Sequence, residues 1–206
     1  MIDIKPSLLD FTQKELTQIV KPSFRAKQIF AWLYHQYAED FDAMKNIPKS
    51  LKEELSKKYI VNPLKIAKKE ISTDGTIKYL LELQDGKTME AVWLKMKDTQ
   101  LDENGEVIQE AKYTICVSTQ VGCKVGCTFC LTAKGGFTRD LTTGEIVAQV
   151  VTLKRDNEHK HNRKINIVYM GMGEPLDNLE NLAKAIEIFK EEEGLAIGGK
   201  RQTVST

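Results

Sequence analysis

The sequence predicts an α/β protein: a parallel sheet with helical crossovers, preceded by a small helical region and a β-hairpin region. Three observations carry that prediction. From residue 112 onward, short apolar runs alternate with helix-period segments, the order that builds a parallel sheet with right-handed crossovers. Before residue 62, apolar side chains recur at the three-to-four spacing of a helix face. Between 63 and 111, two Asp-Gly pairs separate strand-like runs, a hairpin signal. The chain therefore divides into a helical domain (1–62), a hairpin or linker region (63–111) and a strand–helix region (112–206).

Taken in order, 8–20 reads as a short helix ended by Pro22. Ser23 is a candidate N-cap for a second helix, on which Ala26, Ile29, Phe30, Leu33, Tyr34 and Tyr37 share one face. Residues 46–50 turn into an amphipathic helix over 51–59. Lys21, Arg25 and Lys27 make a basic entry to the second helix; it is either a phosphate contact or a solvated helix end.

Strands are expected at 65–72, 76–84 and 88–97, and a flexible loop at 98–110, which is acidic and poor in apolar residues. Glu90 stands out. It shares a strand face with Val92, Leu94 and Met96, and the opposite face (Met89, Ala91, Trp93) is also apolar. A carboxylate so placed is costly unless it is paired, used or able to reach solvent at the strand end.

Next come a strand at 113–119, a cap at 140–143, a helix at 143–155, a strand at 165–170, a helix at 179–190 and a third strand from 202. The basic stretch 154–164 reads as solvated surface at the far end of the strands. Ligands of parallel sheets gather at the carboxyl ends of the strands. That rule puts the loop after 119, the turn 171–175 and Ser205 on one rim.

With 206 residues and 41% hydrophobic content the chain can bury one or two cores, and its net charge of +1 leaves any RNA surface to a local patch. No run approaches the roughly 18 apolar residues of a membrane span. The start, Met-Ile-Asp-Ile-Lys-Pro, lacks the shape of a signal peptide, so a cytoplasmic location is expected.

The first strand runs into Cys123-Lys-Val-Gly-Cys127-Thr-Phe-Cys130, three thiols on one short loop. Gly122 and Gly126 allow the loop to fold back, since glycine adopts positive φ at no steric cost. Three thiols converging would leave one position of a metal site open, whereas a closed structural zinc site takes four protein ligands. The readings are a zinc site completed by Cys116, a disulfide framework, or a [4Fe-4S] cluster with three thiolate ligands and Phe129 as an apolar wall.

Gly171-Met-Gly-Glu-Pro175 is a second motif. It fails as a dinucleotide loop, because position 176 is Leu and Pro175 interrupts the approach to the helix. It fits a turn that lets backbone approach a small molecule, with Glu174 offered to an ammonium group.

The cysteine loop resembles the signature of radical S-adenosylmethionine enzymes. The fuller resemblance is to the RlmN family of that superfamily. It rests on Phe24-Arg-Ala-Lys-Gln28, Met89-Glu-Ala-Val92, Cys116-Val-Ser-Thr-Gln-Val-Gly-Cys123, Gly171-Met-Gly-Glu-Pro-Leu176 and Thr203-Val-Ser-Thr206. It implies a partial (β/α) radical-SAM barrel, its first three strands, behind a helical plus β-hairpin accessory domain. It implies methylation of adenine carbon 2 in 23S rRNA and in tRNA through a methyl-cysteine intermediate, with an external flavodoxin-like electron donor and a monomeric whole protein. Cys123, Cys127 and Cys130 match the ligands of the [4Fe-4S] cluster. Gly173, Glu174 and Ser205 match contacts to S-adenosyl-L-methionine. Glu90 matches the proton acceptor, and Cys116 a second cysteine that resolves the protein–RNA adduct by forming a disulfide.

The family's methyl-carrying cysteine has no counterpart here, since all four cysteines are assigned. The expectation is an N-terminal portion that binds a cluster without methylating by itself. The alternatives are a sister resistance family that methylates carbon 8 of adenine, with Ala where Pro175 stands, and a non-catalytic zinc-binding RNA module.

Overall fold

The structure, a computed structural model, describes residues 4–158 and 165–206. The N-terminal part opens with a 3-10 turn, Leu8–Asp10, followed by α1 (Gln13–Ile19), α2 (Ser23–Tyr34) and α3 (Lys49–Lys58). The single helix expected over 8–20 is two elements because the segment carries two capping boxes. Ser7 and Asp10 cap the first reciprocally, and Thr12 and Glu15 cap the second. The second cap stops the first turn from continuing. α2 begins at Ser23 itself, with Pro22 in the cap position and no side-chain cap. Its inner face is the expected one: Ala26, Ile29, Phe30, Leu33 and Tyr34 are buried.

The strands β1 (Lys65–Ile71), β2 (Ile77–Glu82) and β3 (Thr88–Lys97) form an antiparallel meander. Asp74 and Asp85 each accept the backbone N–H two residues on, at 2.9 and 3.1 Å, and Gly75 and Gly86 take the positive φ that follows. The expected flexible loop at 98–110 is instead a small hairpin, β4 (Gln100–Leu101) with β5 (Val107–Gln109). Asp102 supplies the order that its apolar content does not, accepting the N–H groups of Asn104 and Glu106.

The remaining elements are β6 (Lys112–Cys116), β7 (Gln120–Gly122), α4 (Leu131–Lys134), β8 (Phe137–Asp140), α5 (Thr143–Asp156), β9 (Ile165–Tyr169), α6 (Leu179–Lys190) and β10 (Gln202–Val204). β6, β9 and β10 are parallel, as the alternation requires. The partial barrel and its accessory hairpins are not separate sheets, however. β3 pairs antiparallel with β6, giving one open mixed sheet in the order β1-β2-β3-β6-β9-β10 and no closed barrel. Joining them satisfies two strand edges that would otherwise stand unpaired.

One face of this sheet is the core: Tyr79, Leu81, Met89, Ala91, Trp93, Ile115, Ile165, Ile167 and Tyr169 are buried. α5 covers it and is buried from Thr143 through Lys154; the Tyr79 hydroxyl donates to Asp156 near its end at 2.6 Å. On the other face Lys78 is exposed and Glu90, Val92, Cys116 and Val168 are partly buried, with Thr114 buried beside them. Lys154 departs from its expected solvated place. It is fully buried inside α5, with its ammonium 5.3 Å from the centre of the Tyr37 ring. The helix runs to Asp156, so Lys154 belongs to its core-facing turn. The rest of the basic stretch, from 159 to 164, lies outside the described residues. Among those residues no helix is long and apolar enough to cross a membrane.

Candidate active site

The rim formed by the carboxyl ends of β6, β9 and β10 gathers the motifs. Cys116 ends β6, the Gly-Met-Gly-Glu-Pro turn follows β9, and Ser205 follows β10. β7 and β8 form a two-stranded ribbon at the base of the cysteine loop, closed by the Cys123 N–H donating to the Gly136 carbonyl at 3.1 Å. Gly122 (φ +80°) and Gly126 (φ +72°) have the backbone expected of them. At Gly122 there is no alternative, because a Cβ there would lie 1.9 Å from the Gly136 oxygen.

Cys123, Cys127 and Cys130 are half-buried free thiols on this loop. Their side chains do not converge: among the described residues no three His, Cys, Asp or Glu groups lie where they could hold a metal ion. A thiol is a weak donor and a weak acceptor, so nothing in the three groups themselves draws them together. Backbone N–H groups of Ala133 and Thr132 lower the Cys130 thiol below the usual thiol range, toward the thiolate that binds metals. The donor set therefore suits a metal cluster in chemistry and in its placement on one loop. Phe129 does not form the expected apolar wall; it is 90% exposed, with Val125 and Leu131 exposed beside it.

On the open sheet face, Cys116 stands opposite Val92, and Glu90 lies two residues along β3 on the same side. Glu90 is paired: its carboxylate is 2.8 Å from the Lys78 ammonium, beside a cavity of ≈ 170 Å³ also lined by Lys68, Glu70 and Leu80. Glu90's carboxylate in turn raises the pKa of Lys78. Burial pushes the Cys116 thiol up, with a backbone hydrogen bond from Met170 acting against it. The disulfide expected of Cys116 has no partner in this chain, because the methyl-carrying cysteine that would pair with it has no counterpart here, and all four cysteines are free. Cys116 is fixed in the sheet ladder between Val92 and Val168, whereas the other three lie on the loop beyond β7.

The turn after β9 is tied to the segment that follows β6. Gly171 N–H donates to the Val117 carbonyl at 3.0 Å, and the Met172 carbonyl accepts from Thr119 and Gln120. Glu174 N–H donates to Gln120 Oε1 at 3.0 Å. The glycines of the turn answer to this packing. A Cβ on Gly171 would meet Ser118 Oγ at 2.7 Å, and one on Gly173 (φ +103°) would meet Gln120 Cβ at 2.6 Å. One carboxylate oxygen of Glu174 caps the next turn, accepting the Leu176 N–H at 3.0 Å. Ser205 is exposed on the same rim.

The sequence reading passed over two sets of residues. Ser118, Gln120 and Gln149 bind the rim together; the first two were signalled by the polar run Ser118-Thr119-Gln120 where an apolar strand should end, and Gln149 is a polar residue within the apolar helix α5. Arg139 is the second. It pairs bidentately with Glu145 at 2.8 Å and with Asp85 at 2.7 Å, joining β8, α5 and the β2–β3 turn, and these carboxylates raise its pKa further. In the helical domain, Arg25 donates to Gln28 and to the Asn46 carbonyl and lies over the Phe24 ring, while Lys21 reaches the Thr17 carbonyl. Lys27 is exposed.

Residues 7–61 match the family model of the ribosomal RNA large subunit methyltransferase N-terminal domain, and residues 117–206 that of the radical SAM superfamily. The chain is 79% identical over 203 residues to the dual-specificity RNA methyltransferase RlmN of Sulfurimonas denitrificans, covering 98% of this chain and 57% of that protein. It is 59% identical to the protein of the same name from Aliarcobacter butzleri, covering 98% and 56%. The crystal structure of a radical SAM methyltransferase from Sphaerobacter thermophilus superposes with a TM-score of 0.86 at 42% identity, covering 98% of this chain and 57% of that one. The chain thus belongs to the RlmN family of the radical SAM superfamily, and spans somewhat more than half the length of the curated relatives it matches.

Proposed function

We propose that the chain is the cofactor-binding and RNA-facing part of a radical S-adenosyl-L-methionine methyltransferase acting on carbon 2 of adenine in 23S rRNA and in tRNA. Cys123, Cys127 and Cys130 would hold the [4Fe-4S] cluster, and Gly173, Glu174 and Ser205 the S-adenosyl-L-methionine. When bound, that pair supplies a radical able to take hydrogen from an unreactive carbon–hydrogen bond. The target explains the need. Adenine carbon 2 lies between two ring nitrogens, is electron-poor and does not attack a methyl cation equivalent.

The observation that carries the reading is the shared sheet face. Glu90 and Cys116 flank Val92 on the open side, at the rim where the cysteine loop and the glycine turn also end. A ring laid on that face finds a carboxylate to take its carbon-2 proton and a protonated thiol in reach of the same chain segment. Lys78 keeps the carboxylate paired until a substrate displaces it. The flipped or single-stranded adenine needed for such contact is the usual way proteins reach a base for chemistry.

The same reading divides the chain into an RNA-binding-like helical domain (1–62), a hairpin region (63–111) and a radical-SAM portion (112–206). Lys27 is its best-placed phosphate contact, because Arg25 is engaged by Gln28 and the Asn46 carbonyl and Lys21 by the Thr17 carbonyl. An external flavodoxin-like protein would supply the electron.

Anaerobic reconstitution with iron and sulfide tests it. The chain should take up about four irons, turn brown and bind S-adenosyl-L-methionine by calorimetry. Each single Cys→Ser variant at 123, 127 and 130 should lose the colour and the binding. One colourless zinc per chain, or methionine-cofactor binding that survives those three substitutions, would overturn the proposal.

A further inference from the structure

We infer that Ser118 is a positioning residue: its hydroxyl couples the turn that follows β9 to the strand that carries Glu90. Ser118 is fully buried. Its Oγ donates to the Glu90 carbonyl at 2.6 Å and accepts the Met172 N–H at 2.8 Å. A hydroxyl has one proton, so donation to Glu90 leaves its lone pairs for Met172, and the two bonds polarise each other. The Glu90 N–H closes the ring on the Met172 sulfur at 3.4 Å.

The position follows from the end of β6. Continuing the β3–β6 register beyond Val92↔Cys116 would bring Ser118 opposite Glu90. The ladder stops short, however, because the Ser118 backbone is taken by another partner. Gln149 of α5 accepts the Ser118 N–H at 2.8 Å and donates to its carbonyl at 2.9 Å. The hydroxyl then does for both neighbouring strands what the missing main-chain bonds would have done. Gly171 is bare of a side chain at that point, where a Cβ would stand 2.7 Å from the hydroxyl.

The consequence is a coupling between two parts of the site, resting on the reading that S-adenosyl-L-methionine binds the 171–175 turn and that Glu90 serves the substrate. A ligand that stiffens the turn stiffens the Glu90 segment chiefly through the Ser118 hydroxyl, the thioether of Met172 being the weaker acceptor of the two links. A bound cofactor therefore pre-positions the proton acceptor.

Hydrogen–deuterium exchange by mass spectrometry on the reconstituted 206-residue chain tests this. In the unmodified chain, S-adenosyl-L-methionine should slow exchange in the peptides covering 170–174 and 88–92 together. In Ser118→Ala it should slow exchange in the first only, with cofactor affinity about ten-fold weaker. A merely structural role would loosen both peptides equally and leave their joint response to ligand intact. Joint protection that persists in Ser118→Ala, or its absence from the unmodified chain when ligand binds, overturns the inference. Should the unmodified chain bind no cofactor, the functional reading fails by itself. The ligand-free chain then decides the coupling by a double variant: Gly173→Ala, which strains the turn against Gln120, should raise exchange in both peptides, and in the Ser118→Ala background in 170–174 only, whereas an effect on 88–92 that persists in that background would refute it.

Discussion

Single side chains on this rim show how local accounting decides stability. Thr119 is buried between Ser118 and Gln120, and its hydroxyl has no hydrogen-bond partner among the described residues. A buried unsatisfied hydroxyl costs roughly 1–3 kcal/mol. Thr119→Val keeps the shape and removes the cost, so urea denaturation should show a gain of about 1 kcal/mol; a loss would mean that the hydroxyl is satisfied. Lys154 is a second case. Burial, and then the charge of Arg201, bring its pKa down to about 7. Below pH 7 both the folded and unfolded chains hold this proton. Between pH 7 and about 10 only the unfolded chain does, because its lysine titrates near 10.4. Stability therefore rises with pH through that window. Between pH 7 and 9.5 the unmodified chain should gain on the order of 2 kcal/mol over Lys154→Met, measured by denaturation at both pH values; a constant difference would contradict the assignment.

At the level of elements, the glycine-hinged ribbon β7–β8 and the arginine beside it set the cysteine loop. Gly122→Ala places a methyl inside van der Waals contact of the Gly136 carbonyl, so the ribbon must open. Iron uptake after reconstitution should fall to background while the far-ultraviolet dichroism stays close to that of the unmodified chain. Arg139→Gln leaves Glu145, 6% exposed, without its cation. Removing one member of a mostly buried pair costs about 3 kcal/mol, and urea denaturation should return a figure near it. These elements also show what sequence reading could reach. The positive-φ glycines were legible because only glycine adopts that backbone cheaply, and the strands and helices from 112 onward because their periods differ. The 98–110 hairpin was not, since Asp102's side-chain bonds, rather than apolar burial, order it. The convergence expected of the three thiols was an inference about a ligand set, which spacing alone does not fold. Glu90 was legible as an anomaly, but its partner Lys78 sits on another strand, and no local pattern announces a cross-strand pair.

For the whole molecule, the question is what holds the helical domain to the sheet. Asp10 is the hinge pin. Its carboxylate accepts the Ser7 N–H at 2.8 Å within its own turn and, through the other oxygen, the Gly144 N–H at the start of α5 at 2.5 Å. A carboxylate at a helix N-terminus meets both an unpaired donor and the positive end of the helix dipole. Gly144 accommodates it, for a Cβ there would lie 2.8 Å from the Asp10 side chain. Around this point, Lys184 pairs with Glu15 at 2.9 Å, Asn62 donates to Thr152 at 2.9 Å, and Arg155 reaches Glu39 at 3.1 Å. The last is exposed on the Glu39 side and contributes little by itself. The docking therefore depends on one charge-assisted cap more than on surface ion pairs. Asp10→Ala should cost about 1–2 kcal/mol, the range of a lost N-cap. It should also admit protease between the helical domain and β1 sooner than in the unmodified chain, while Glu39→Ala leaves both measures within about 0.5 kcal/mol and one another's digestion rate. If Asp10→Ala digests no faster and unfolds at the same urea concentration, the domain is held by its apolar contact with α5, and the cap is incidental.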